Sequence, residues 1–170
     1  MIAEPTPSRI SLYLTWLNGL PEWRFSGTLY LLRWVVVLPM GVLLSPLATS
    51  ADEFHAKGDP WRYLIPFLVA APTLETLIEC TLPNWLMYGA LKMQRQTAWP
   101  FVFVSAMVMV ILHPLTPAVI VFAFITGSFL AYVYAHFAPQ SQFKAFLHTA
   151  MFHAAINVVG WFGILIHSMT

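Results

Sequence analysis

Five long apolar blocks, separated by short polar stretches, set the organisation of this chain. They cover residues 27–47, 61–91, 99–113, 117–137 and 145–166. A helix of about 20 apolar residues crosses a hydrocarbon core of ~30 Å. The pattern therefore predicts an all-α fold, a polytopic membrane bundle of about five transmembrane helices. The second block is longer than one crossing requires, about 45 Å at 1.5 Å per residue. Pro66, Pro72 and Pro83 are expected to bend or break it, because each removes a backbone donor. Pro39 is expected to kink the first block, and Arg33 near its start to snorkel toward the headgroups.

Between the blocks lie a polar loop at residues 48–60, a basic loop around Lys92 and Arg95, and a short link ending at Lys144. Residues 1–24 form an N-terminal segment with no basic region leading into an apolar core, so no cleavable signal is expected. Ile10, Tyr13, Leu14 and Leu17 recur at helical spacing and predict a short interfacial helix there. With no internal repeat and no long linker, residues 1–170 read as one membrane domain.

Composition agrees with the pattern. Only 9% of the 170 residues are charged and 59% are hydrophobic, with mean hydropathy +0.72. A soluble domain carries roughly 25% charged residues, so this chain's main solvent is a lipid bilayer. The net charge of +1 argues against a nucleic-acid partner, and the single cysteine excludes an internal disulfide. Arg9, Arg24, Lys92, Arg95 and Lys144 fall on one side of a five-span topology, and Lys57 and Arg62 on the other. This bias places the N-terminus in the cytoplasm and the C-terminus outside, in a prokaryotic inner or plasma membrane.

Against this background the polar groups inside the blocks carry the information. Glu75 and Glu79 share a helical face, His113 precedes Pro114, and His153 and Asn157 lie one turn apart. A charged group at membrane depth costs a few kcal/mol and normally has a partner. Each has a purely structural reading. His113 can cap carbonyls freed by Pro114, His153 and Asn157 can join helices, and Glu79 can pair with Arg33 or Arg62. Their joint occurrence on three blocks suggests convergence on one site. Glu75, His113 and His153 could hold zinc. The amide of Asn157 beside His153 suits an oxyanion better, so a water activated by carboxylate is expected, with no resident cofactor.

The residues Ala71-Pro72-Thr73-Leu74-Glu75-Thr76-Leu77-Ile78-Glu79-Cys80, Met109-Val110-Ile111-Leu112-His113 and His153-Ala154-Ala155-Ile156-Asn157 form a recognisable set. It resembles the CAAX-protease and bacteriocin-processing (Abi) family of intramembrane proteases, over residues 71–160. Thr76, Cys80 and Met109 stand where that family has Glu, Arg and Phe. The resemblance implies a glutamate-type endopeptidase that cleaves a membrane-associated peptide or protein near its terminus. Glu75 and His113 would activate water, and His153 and Asn157 would hold the oxyanion. Glu79 and Thr76 are possible auxiliaries. Two other readings stand beside it. One is a serine protease using Ser128 and His153. The other is a non-catalytic membrane scaffold, immunity factor or small transporter.

Overall fold

Prolines and polar breaks delimit the helices. The computed structural model describes residues 9–44, 61, 64–95 and 98–168, and every element among them is helical, with no strand. In chain order these are α1 (Arg9–Asn18), α2 (Glu22–Leu44), α3 (residues 64–90), α4 (Trp99–Leu112), α5 (Pro117–Phe137) and α6 (Gln142–Ser168). Pro100 and Pro117 occupy first turns, where the missing N–H costs nothing. Helix α4 ends at His113, whose φ of −112° and ψ of 161° are extended. The residue before a proline is pushed out of the helical region. The acidic loop expected at residues 48–60 and the start of the N-terminal segment lie outside the described residues.

The expected break in the second block does not occur. Helix α3 runs continuously past Pro66, Pro72 and Pro83 by opening into wide i→i+5 turns at Pro66–Ala70, Leu77–Thr81 and Trp85–Ala90. The physical reason lies in the ring clash of proline with the carbonyl four residues before it. For Pro72 that carbonyl belongs to Leu68, and for Pro83 to Glu79; both lie in wide turns that displace them. Wide turns of this kind occur often at functional sites.

Side-chain contacts give the helix directions. Asn84 meets Gln142, Glu75 meets His153 and Asn157 meets the Phe67 carbonyl, so α3 and α6 run antiparallel. Phe25 packs on Phe137 and Arg33 bonds Thr126, so α2 and α5 also run antiparallel. Helices α2 and α6 run parallel, tied by Lys144 to Glu22 and by Tyr30 to the Ala155 carbonyl. Lys144 also holds the Glu22 carboxyl below the usual carboxylate range. Segments Pro117–Phe137 and Gln142–Phe162 are long and apolar enough to cross a membrane, while α4 is apolar but has only 14 residues.

The bundle exposes many apolar side chains and buries several polar ones within a mostly apolar core. Leu31, Val35, Leu38, Val69, Leu74, Phe103 and Ile111 are all exposed. Arg33, Thr76, Glu79, Ser105, Thr126, Thr149 and His153 are all buried.

Candidate functional site

The inward polar groups gather at mid-bundle, where α3 and α6 cross. Glu75 ends the regular segment Ala71–Thr76 and its side chain is 26% exposed. The antiparallel α6 brings His153 opposite it, with Nε2 at 3.2 Å from Oε2 and the ring buried. A proton on Nε2 would face Glu75 and leave Nδ1 as an acceptor. That Nδ1 is buried and has no hydrogen-bond partner among the described residues.

His113 reaches the same region from the end of α4, within electrostatic reach of both Glu75 and His153. Its own N–H bonds the Val110 carbonyl at 3.3 Å in a tightened last turn, which leaves the Met109 carbonyl unclaimed by the backbone. The imidazole takes that carbonyl, with Nδ1 at 2.9 Å. A carbonyl can only accept, so Nδ1 carries the proton and the neutral ring presents Nε2 as an acceptor. The extended backbone before Pro114 thus orients the ring and selects its tautomer.

Asn157 lies one turn beyond His153 but serves a different partner. In the wide turn Pro66–Ala70 the Ala71 N–H bonds the Pro66 carbonyl. The next bond in that register would run from residue 72 to the Phe67 carbonyl, and Pro72 has no N–H. A buried carbonyl needs a donor, and Asn157 Nδ2 supplies it at 2.9 Å. One of the two N–H donors of the amide expected to face an oxyanion is therefore spent on the backbone of α3.

Of the two auxiliaries, Thr76 follows Glu75 directly and Glu79 lies one turn on. Both are fully buried, and neither the Thr76 hydroxyl nor either Glu79 oxygen has a hydrogen-bond partner among the described residues. A Glu79–Arg33 ion pair is not formed, and Arg62, the other candidate partner, lies outside the described residues. Glu79 instead packs where three helices meet: a Cβ built on Gly127 would lie 3.0 Å from Glu79 Oε1, 2.8 Å from Met109 Cβ and 3.0 Å from Ala106 Cα. Glycine at this position lets α3, α4 and α5 close around the carboxyl.

Arg33 departs most from expectation. It does not snorkel: it is 6% exposed and donates from Nη2 to Thr126 Oγ1 at 3.0 Å. Its guanidinium carbon lies 4.6 Å over the Trp34 ring. It lies within electrostatic reach of His153. The interior offers this cation a hydroxyl, an aromatic face and the polar layer, whereas a turn outward lies among Leu31, Val35 and Leu38. The signal for it was present in the sequence: an arginine within an apolar block carries the same cost as Glu75.

Ser128 stands apart from this layer. Its hydroxyl donates to the Phe124 carbonyl at 2.8 Å, and it lines an apolar cavity of about 230 Å³ with Leu14, Leu29 and Trp99. The serine–histidine pair thus gains no support, since His153 Nε2 faces Glu75. Among the described residues no group of three or more His, Cys, Asp or Glu side chains is placed to hold a metal ion. Comparison with protein-family models, with curated proteins and with solved structures finds no match for this chain.

Proposed function

We propose that this protein is an intramembrane peptidase of the glutamate type, acting on a peptide or protein held in or at the bilayer. The observation that carries the reading is the ion pair of half-buried Glu75 with buried His153, with His113 within electrostatic reach of both. Two costly polar groups from separate helices meet at mid-bundle, and a third lies within electrostatic reach. Such clustering in a membrane protein is a functional-site hypothesis by default. The motif resemblance over residues 71–160 supports the same reading, as does the apolar exterior. The proposed setting is five membrane crossings by α2 to α6, with the N-terminus in the cytoplasm.

In the proposed reaction Glu75 and His113 Nε2 hold a water between them. Glu75 takes one proton as the water oxygen attacks the scissile carbonyl carbon. The C–N bond then breaks, and the proton passes from Glu75 to the leaving amine. His153 fixes the Glu75 carboxylate through Nε2–H. The donor set is a carboxylate and two imidazoles already directed at one another or at backbone. A carboxylate-activated water fits this arrangement without a resident metal.

A panel of fluorogenic peptides carrying an apolar anchor, offered to the full chain in proteoliposomes, tests the proposal. The wild type should cleave at least one, and Glu75→Gln should lose about 100-fold or more in kcat while remaining folded. Equal turnover by wild type and Glu75→Gln overturns it. One observation favours a second reading, a non-catalytic scaffold: Asn157 serves the Phe67 carbonyl and not an open site. Binding of anchored peptides without any cleavage would support that reading.

A further inference from the structure

We infer that Arg33 is the anion-binding group of the mid-bundle site, its unpaired Nε and Nη1 donors taking a singly charged oxygen anion of the ligand. The inference deepens the peptidase reading and rests on it for the identity of that anion.

The argument starts from the guanidinium. Its five N–H donors cannot be neutralised by losing a proton. Among the described residues only Nη2 is engaged, with Thr126 Oγ1, and both Nε and Nη1 are buried with no hydrogen-bond partner. A buried charge is retained at such cost when it is paired. Yet Glu75 is turned to His153, and neither Glu79 oxygen has a partner. The cation is thus fully placed and not neutralised.

Its position gives this significance. Tyr30, one turn before Arg33, packs on Phe152 and bonds the Ala155 carbonyl, so α2 lies alongside the His153 turn of α6. Thr126 and the Trp34 ring hold the guanidinium from the other sides. The other donors near Glu75 are largely taken: one N–H of Asn157 Nδ2 serves Phe67, His153 Nε2 faces Glu75, and His113 Nδ1 is spent on Met109. Arg33 adds two unengaged donor nitrogens and a full positive charge. One guanidinium matches one negative charge, which suits a carboxylate or the oxyanion of a tetrahedral intermediate and not a phosphate dianion. Arginine binds such oxygens through its planar fork. Both ligand anions share this chemistry, and the experiment separates them.

The first arm needs no catalysis. Hexanoate and hexanamide, which differ only in the carboxylate, are compared as stabilisers of the full chain in micelles. Hexanoate should raise the melting temperature of wild type and of Glu75→Gln above that seen with hexanamide. Arg33→Gln should abolish the difference, and Arg33→Lys should keep part of it. The second arm uses any peptide the wild type cleaves. If the anion is the reacting oxygen, Arg33→Lys should lower kcat about 100-fold or more with KM within twofold, as for loss of an oxyanion donor. If it is a carboxylate of the substrate, the free-acid peptide should bind Glu75→Gln at least tenfold tighter than its amide. That preference should then disappear with Arg33→Lys. Equal stabilisation of wild type by hexanoate and hexanamide, together with unchanged kcat and KM in Arg33→Lys, overturns the inference. A protein that distinguishes hexanoate from hexanamide through Arg33 but cleaves no peptide retains the anion site and loses the peptidase reading.

Discussion

Gly127→Ala is the sharpest test of the packing around Glu79. The added Cβ would lie 2.8 Å from Met109 Cβ and 3.0 Å from Ala106 Cα, both tied to the α4 backbone. Carbon atoms prefer about 3.5–4.0 Å, so α4 and α5 must separate by several tenths of an ångström along their contact. The third neighbour, Glu79 Oε1 at 3.0 Å, must move with them. Overpacking of this kind costs about 1–3 kcal/mol. Alanine returns up to about 1 kcal/mol of helix propensity over glycine, and that gain has to be measured separately. Gly27 provides the control, because a Cβ there meets nothing within 4 Å. Gly160 provides a second, with Phe67 Cε1 at an ordinary 3.5 Å. Reversible unfolding in mixed SDS and non-ionic micelles would rank the three variants. Gly127→Ala should fall about 1–3 kcal/mol below Gly27→Ala, with Gly160→Ala near the latter. If Gly127→Ala matched Gly27→Ala in stability, the three-helix closure around Glu79 would be wrong.

Other outcomes follow from the same contacts. Asn157→Leu should cost about 1–3 kcal/mol, because it leaves the Phe67 carbonyl buried without a donor; an infrared shift of a labelled Phe67 carbonyl would show the loss directly. Glu79→Leu should stabilise the apo protein by a similar amount, since a polar group without a partner is replaced by an apolar one; a loss of stability would reveal a partner for Glu79. The Glu22 carboxyl is held below its ordinary value by Lys144. Its contribution is therefore present above the unfolded carboxylate pKa of about 4.3 and disappears as pH falls through the lower folded value. Lys144→Gln should differ in thermal stability from wild type at pH 7 and converge with it in acid.

Much of the architecture could be read in advance where prolines and apolar runs coincide. Pro114 and Pro117 bracket the turn between α4 and α5, and the ends of these two helices fall within a residue of their apolar blocks, whereas α2, α3 and α6 differ from theirs by up to five residues. That Glu75 and His153 approach one another was legible, because neither group is tolerable alone in an apolar block; that they form a pair was not, since the pattern set Glu75 with His113 and His153 with Asn157. The wide turns of α3 were not. They shift each hydrogen bond by one residue, which leaves no mark on the hydrophobic pattern. The role of Asn157 was hidden with them, since the Phe67 carbonyl becomes free only when Pro72 meets that shifted register. Arg33 was misjudged for another reason. Whether a long cation turns outward or inward depends on what the opposing helix offers, and Thr126 lies 93 positions away in the chain.

The shortness of α4 has a consequence for the bilayer itself. Its 14 residues reach only ~21 Å along the helix, against a hydrocarbon thickness of ~30 Å. Beside α4, in the proposed setting, the lipid must dimple toward the His113 end, because the non-helical residues that follow carry backbone polar groups that lipid cannot satisfy. Such hydrophobic mismatch costs fractions of a kcal/mol per ångström. Shorter acyl chains meet it at lower cost and bring the water boundary nearer His113. The thickness of the host membrane thereby becomes a variable governing how wet the centre of the bundle is.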